Sequence, residues 1–220
     1  LNSKGDRSPV EVPTHVEFVD IAGLVQGAHK GEGLGNQFLA HIREVAAIAH
    51  VVRCFDDDNV VHVAGRVDPE SDIETIDTEL MLADIATLEH RLERLRRSVK
   101  GNPDDAQWIA PLEELARKLS EGVPARRVDV ELPNDVSLLT AKPVIYVCNV
   151  AEDDVVDGNE YVERVRAVAA QEDADVIVIS ARIEEELAQL EPEEAQAFLA
   201  DMGLERPGLE RLIRTGYHTL

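Results

Sequence analysis

The tetrad Asp20-Ile21-Ala22-Gly23, a D-x-x-G, closes the β-branched run 16–19. An aspartate there can hold the water shell of Mg²⁺, and the glycine lets a backbone N–H approach a terminal phosphate. The pattern opens a loop carrying Gly23, Gly27, Gly31, Gly33 and Gly35, more glycine than a plain strand-to-helix connection needs. Such a segment can change shape with its ligand. A second pattern, Asn149-Val150-Ala151-Glu152, closes the apolar run 144–148. Guanine-specific sites place N-K-x-D here, where the aspartate accepts from guanine N1 and N2. Val150 in the lysine slot and the longer Glu152 both weaken that fork. A third run, 176–179, ends in Ser180-Ala181, whose backbone N–H groups can finish a base pocket. Ligands of open α/β sheets bind outside the carboxyl ends of the strands, so three such ends in order are stronger than one. A metalloprotease reading fails, since the seven histidines form no His-Glu-x-x-His, and Cys54 and Cys148 make no disulfide framework and no zinc site.

The elements that would position these residues follow from periodicity. Runs 16–19, 51–55, 144–148 and 176–179 read as strands, the last two nearly continuous and apolar, as in parallel strands covered on both faces. Helical spacing runs over 36–49, 161–170 and 209–217, the last after Pro207-Gly208. The alternation predicts an α/β domain with a mostly parallel sheet. Residues 73–119 break it: Ile76, Leu80, Leu88, Leu92 and Leu95, then Trp108, Leu112, Leu115 and Leu119, mark two amphipathic helices about the breaker 100–105. This predicts an inserted antiparallel helical hairpin. The expected division is 1–72 for the first part of the α/β domain, 73–135 for the hairpin and 136–220 for the second part. A protruding arm of this kind contacts a partner more often than it merely packs.

Composition narrows the classes. The chain has 220 residues, 44 acidic against 22 basic, for a net charge of −22, with 44% hydrophobic residues. That is enough apolar content for a core, so disorder is excluded. No apolar run reaches the roughly 18 residues of a membrane span. An acidic surface disfavours nonspecific coating of DNA. It also fits adaptation to high salt, where screening relaxes self-repulsion. Two isolated thiols read as buried, reduced core residues of a cytoplasmic protein. No signal peptide is visible at residues 1–6, and the missing initiator Met leads to the expectation that a beginning is absent.

The run from Phe18 to Leu39, with Ile42-Arg43-Glu44 and the run 50–55, resembles the YchF type of Obg-like ATPase. The hairpin, the N-x-x-E and the run 203–209 extend that resemblance over nearly the whole chain. It implies a translation-factor-class P-loop NTPase: a Ras-like G domain, here incomplete, with an α-helical coiled-coil hairpin inserted. It further implies slow hydrolysis of ATP in preference to GTP, Mg²⁺ as cofactor, and association with the ribosome (50S or 70S). A monomer, with no membrane and no specific DNA as partner, is expected. By position, Asp20 and Gly23 would face the Mg²⁺ water shell and γ-phosphate. Leu24 fills the slot of the water-orienting glutamine and cannot hydrogen-bond a water, so intrinsic turnover should be slow. Asn149, Val150 and Glu152 match the base-reading motif, with Ser180 and Ala181 closing the pocket.

Departures accompany the match. No Gly-Lys dipeptide occurs anywhere, so the G-x-x-x-x-G-K-[ST] phosphate cradle is absent, as is the first-switch threonine. The chain also stops where the family continues into a TGS domain. The expectation is an internal piece that binds Mg-ATP poorly alone, with direct Mg²⁺ ligands upstream. Two rivals remain: a non-enzymatic docking module built on the hairpin, and a GTP-specific switch, which Val150 and Glu152 oppose. For contact with RNA, Arg91, Arg94, Arg96 and Arg97 near the hairpin tip are the candidates, with Arg126 and Arg127 as a second pair.

Overall fold

The computed structural model describes residues 16–21, 34–57 and 66–220. Three parallel strands, β1 (Ile48–Arg53), β2 (Val144–Asn149) and β3 (Asp175–Ile179), form one sheet in the order β1-β2-β3. In the central strand, Val144 to Cys148 are all buried, as its unbroken apolar run requires. The register sets Val52 opposite Cys148 and Cys148 opposite Val178, so the carboxyl ends of all three strands lie in one row.

One face of the sheet packs against α4 (Glu160–Ala169) through Tyr146, Cys148, Val162 and Val165. The other meets α7 (Gly208–Thr219) through Ile145, Val147, Ile177 and Leu212. Helix α1 (Leu34–Glu44) precedes β1, while α5 (Ala181–Leu187) and α6 (Pro192–Asp201) lie between β3 and α7. Cys54 and Cys148 are both buried, free thiols in the core. Among the described residues, no helix is long and apolar enough to cross a membrane.

The arm grows from α2 (Pro69–Ser98), 30 residues and therefore about 45 Å long at the α-helical rise. It starts earlier than the periodicity alone implies, because Asp68 caps it by accepting from the Ser71 N–H, and Pro69 fits the first helical position. A 3-10 turn, Pro103–Trp108, leads into α3 (Ile109–Ser120). Leu88, Leu92 and Leu95 meet Leu112, Leu115 and Leu119, every one at most 5% exposed. Side chains buried this fully stabilise by about 1.5–3 kcal/mol each. Since α3 is much shorter than α2, the return is completed by an extended strap, 128–132, whose Val128, Val130 and Leu132 pack on the same leucines.

The arm is rooted by buried polar groups. Asp84 on α2 is 1% exposed and accepts from the Leu139 N–H, the Thr140 N–H and Thr140 Oγ1 at 2.7–2.8 Å. Arg126 donates to Asp77 on α2 at 2.6 Å and to Glu172, beyond α4, at 2.8 Å. Glu172 in turn accepts from Tyr146 Oη on β2 at 2.6 Å. Arg164 on α4 reaches Asp68 and Glu70 at the start of α2, both at 2.6 Å.

Two expectations are corrected. Residues 16–19 form no strand: they run without a ladder, with Phe18 46% and Val19 53% exposed, because no neighbouring strand pairs with them among the described residues. The helix expected over 36–49 stops at Glu44, since pairing with β2 takes Ile48 and Ala49 into β1.

Candidate functional site

At the carboxyl edge of the sheet the ladder continues beyond the strands. The Cys54 N–H donates to the Asn149 carbonyl and the Val150 N–H to the Ile179 carbonyl, both at 2.8 Å. Asn149 therefore leaves the middle of the row, flanked on both sides by backbone. Its Oδ1 accepts from the Ala181 N–H at 2.9 Å. Because a backbone N–H can only donate, this bond fixes the amide orientation and leaves Nδ2 as the outward donor. Two of the expected site loops, 149–152 and 180–181, are thus tied together by one side chain.

The other members divide by burial. Val150 is 3% exposed and belongs to the core that includes Cys54 and Val155, so its side chain packs inward. Ser180 is 2% exposed, immediately before α5, and its carbonyl accepts from the Glu184 N–H. Ala181 is exposed in the first turn of that helix. Glu152 sits in a 3-10 turn, Glu152–Asp154, and its Oε1 lies 3.0 Å from Arg182 Nε. Asp20 is exposed at the end of the 16–21 segment, next to Ile21, which packs against Leu39 and Ile42. Gly23 and Leu24 lie outside the described residues. Among the described residues, no group of three or more His, Cys, Asp and Glu side chains could hold a metal ion.

Two residues of the site escaped the sequence reading. Asn159 caps α4 by accepting from the Val162 N–H at 3.1 Å, while its Nδ2 donates to the Cys54 carbonyl and to Asp154 Oδ2, both at 2.8 Å. It fastens the turn after Glu152 to the end of β1. An asparagine directly before a helical run was its available signal. Arg182, the partner of Glu152, had none, since the pairing depends on where α5 begins.

Of the arginines expected to contact RNA, all but Arg127 face a carboxylate. Arg96 pairs with Glu113 at 2.7 Å and Arg97 with Glu93 at 2.9 Å. Arg91 and Arg94 lie 3.1 and 4.0 Å from Asp135, the first in charge contact without hydrogen-bond alignment. Arg126 is buried at the root of the arm and offers no surface, whereas Arg127 is exposed.

Residues 5–86 match the family described as 50S ribosome-binding GTPase. The chain is 50% identical over 217 residues to a protein of Bacillus subtilis (strain 168) named Ribosome-binding ATPase YchF, covering 95% of this chain and 59% of that one. The Escherichia coli O157:H7 protein of the same name is 47% identical over 215 residues, with the same coverage. A solved structure of the Schizosaccharomyces pombe YchF GTPase superposes with a TM-score of 0.73 at 34% identity, covering 91% of this chain and 57% of that one. The chain is thus similar to YchF proteins over 95% of its own length. It spans about 59% of the length of the curated relatives it matches. The likeness to that solved structure agrees with the parallel sheet and the helices packed on it.

Proposed function

We propose that this chain supplies the base-reading half of a ribosome-associated NTPase that binds and slowly hydrolyses ATP in preference to GTP. The observation that carries the reading is the bond from the Ala181 N–H to Asn149 Oδ1, which fixes the amide and leaves Asn149 Nδ2 as a donor where the 149–152 and 180–181 loops meet. That donor suits a purine acceptor such as N7, which adenine and guanine share. Discrimination then rests on Glu152. To read guanine, its carboxylate would have to accept from N1–H and the 2-amino group, but Arg182 engages it at 3.0 Å. Adenine presents no such pair of donors and loses nothing. Slow turnover follows from Leu24, which cannot orient a water.

Asp20 fits an outer role toward Mg²⁺, as an exposed carboxylate that belongs to no cluster of three or more metal-ligating side chains among the described residues. A cation here would be held mainly by phosphate and water oxygens. Mg²⁺, when present, would neutralise charge on the transferred phosphoryl group. The names of the relatives support the ribosome as partner and the NTPase class.

The test is competition between ATP and GTP for a fluorescent nucleotide on the full-length protein. Because Val150 is buried, a lysine there would put a charge in the core, so Glu152→Asp combined with Arg182→Ala is the informative variant. ATP preference in the wild type that falls by about tenfold or more in this variant supports the assignment. Equal affinity for both nucleotides in the wild type overturns it.

A further inference from the structure

The arm carries a groove of about 460 Å³ between α3 and the strap 128–132. Its floor is apolar: Trp108, Pro111 and Leu115, with Val130 along one side. Its rim is acidic, formed by Asp129 and Glu131 on the strap and by Glu114 on α3. Glu114 is held by Arg117, but Asp129 and Glu131 make no ion pair with any described residue. The strap is extended from Val128 (φ −116°, ψ 119°) and alternates strictly, with Val128, Val130 and Leu132 half-buried and Asp129 and Glu131 exposed. Among the described residues, no backbone N–H or C=O of 129–132 is hydrogen-bonded. The strap therefore offers unpaired backbone with a strand's side-chain alternation, a surface that can accept another extended chain through main-chain bonds.

We infer that this groove docks an extended basic segment of a partner protein, which pairs with the strap as an added strand and seats alternate apolar side chains beside Trp108. Charge selects the occupant. The chain carries −22 overall, the strap's carboxylates lack cations, and the arginines at the end of α2 already face Asp135, Glu113 and Glu93. RNA phosphates would meet an acidic rim at this part of the arm, whereas lysines or arginines would find unpaired acceptors there. The inference goes beyond the nucleotide reading and does not depend on it, so it can be tested without any nucleotide.

Trp108 is the sole tryptophan of the 220-residue chain, so its emission reports the groove directly. The probe is an octapeptide of alternating Lys and Val, titrated into the chain at low salt. Its comparators are the Glu–Val octapeptide, the Lys–Pro octapeptide and oligouridylate. The expected result is a saturable change with Lys–Val. Lys–Pro, which lacks half the main-chain donors, should bind about tenfold more weakly. The double variant Asp129→Lys/Glu131→Lys should lose about tenfold in affinity for Lys–Val with no loss of melting temperature, since both side chains are exposed. Three results overturn the proposal: no saturable change with Lys–Val, an equal response to oligouridylate or Glu–Val, or unchanged affinity in the double variant.

Discussion

Around Arg126 the molecule buries charge, and its titration follows from who shares that burial. Desolvation works against the Arg126 cation, but Asp77 and Glu172 outweigh it and hold its pKa above the ordinary arginine value. Burial, then the hydrogen bond to Glu172, pushes the Tyr146 phenol up. Burial also raises Asp77, with Arg126 opposing. His50 on β1, its ring 5.8 Å from that of Tyr146, goes the other way: burial first and the Arg126 charge second bring it from 6.5 down to about 4, with Asp72 opposing. A histidine lowered in this way is neutral in the folded chain, while the unfolded chain takes up a proton below its ordinary pKa. The unfolded state thus binds more protons between about pH 6.5 and 4, and stability falls as pH falls through that window. The loss approaches about 3 kcal/mol at its lower end, since each pKa unit is worth about 1.4 kcal/mol. Raised carboxylates such as Asp77 act in the opposite sense, so the comparison is with His50→Gln. Urea midpoints of the variant should fall less steeply with acid than those of the wild type. Parallel curves from pH 7 to the acid end would remove His50 from the account.

Helix α7 shows how an element is docked by one small residue. Glu184, on α5, accepts from the Gly208 N–H at 2.6 Å and the Leu209 N–H at 3.2 Å, capping the start of α7 with a carboxylate where the helix dipole favours one. A Cβ on Gly208 would come within 2.5 Å of Ile179 Cγ2 and 2.9 Å of Glu184 Oε1. Gly208→Ala must therefore push α7 off β3 or displace the capping carboxylate, at a cost of about 1–3 kcal/mol. Its thermal melt should drop while the far-ultraviolet circular dichroism stays native; an unchanged melt would mean that the helix shifts freely. The same elements explain what the sequence could and could not disclose. The buried run of β2, the stripe of α4 and the leucines of the arm are legible because one burial pattern decides each. Helix α6 went unseen because only Leu199 is buried in it, too little for a periodic signal. The end of α1 was overrun because Val45, Ala46 and Ile48 keep a helical spacing that pairing with β2 overrides. At the site, Asn149, Glu152, Ser180 and Ala181 could be picked out by standing at strand ends. The Glu152–Arg182 pair, the cap from Asn159 and the paired state of the basic cluster arise from contacts between elements, which no local pattern encodes.

Over the whole molecule, acidic side chains outnumber basic ones by 44 to 22, so carboxylates remain in surplus whatever the local pairing. Arg96, Arg97, Arg117, Arg126, Arg164, Arg182, Arg206 and Arg214 each sit against at least one carboxylate, and with twice as many acids as bases a large share of the carboxylates has no cation to meet. Added salt acts on both populations with opposite signs. It weakens the exposed pairs, which are worth about 0–1 kcal/mol each. It also relieves repulsion among the unpaired acids, which acts over many more pairs and at longer range. Screening shortens that range from about 10 Å at 0.1 M to about 3 Å at 1 M ionic strength. Contacts at 3 Å survive this better than repulsions across a domain, so the net effect of salt should be stabilising. Each 1 kcal/mol of relief raises the melting temperature of a chain this long by about 2–4 °C. The check is a thermal melt in KCl from 0.1 M to above 1 M (about a threefold shorter Debye length), with chloride chosen because sulfate strengthens apolar burial whatever the charge. A melting temperature that climbs with KCl, and climbs less once several exposed glutamates are changed to glutamine, assigns the effect to self-repulsion and supports adaptation to high salt. A melt that is flat or falls in molar KCl means that the local ion pairs outweigh the surplus, and the acidic composition then has another cause.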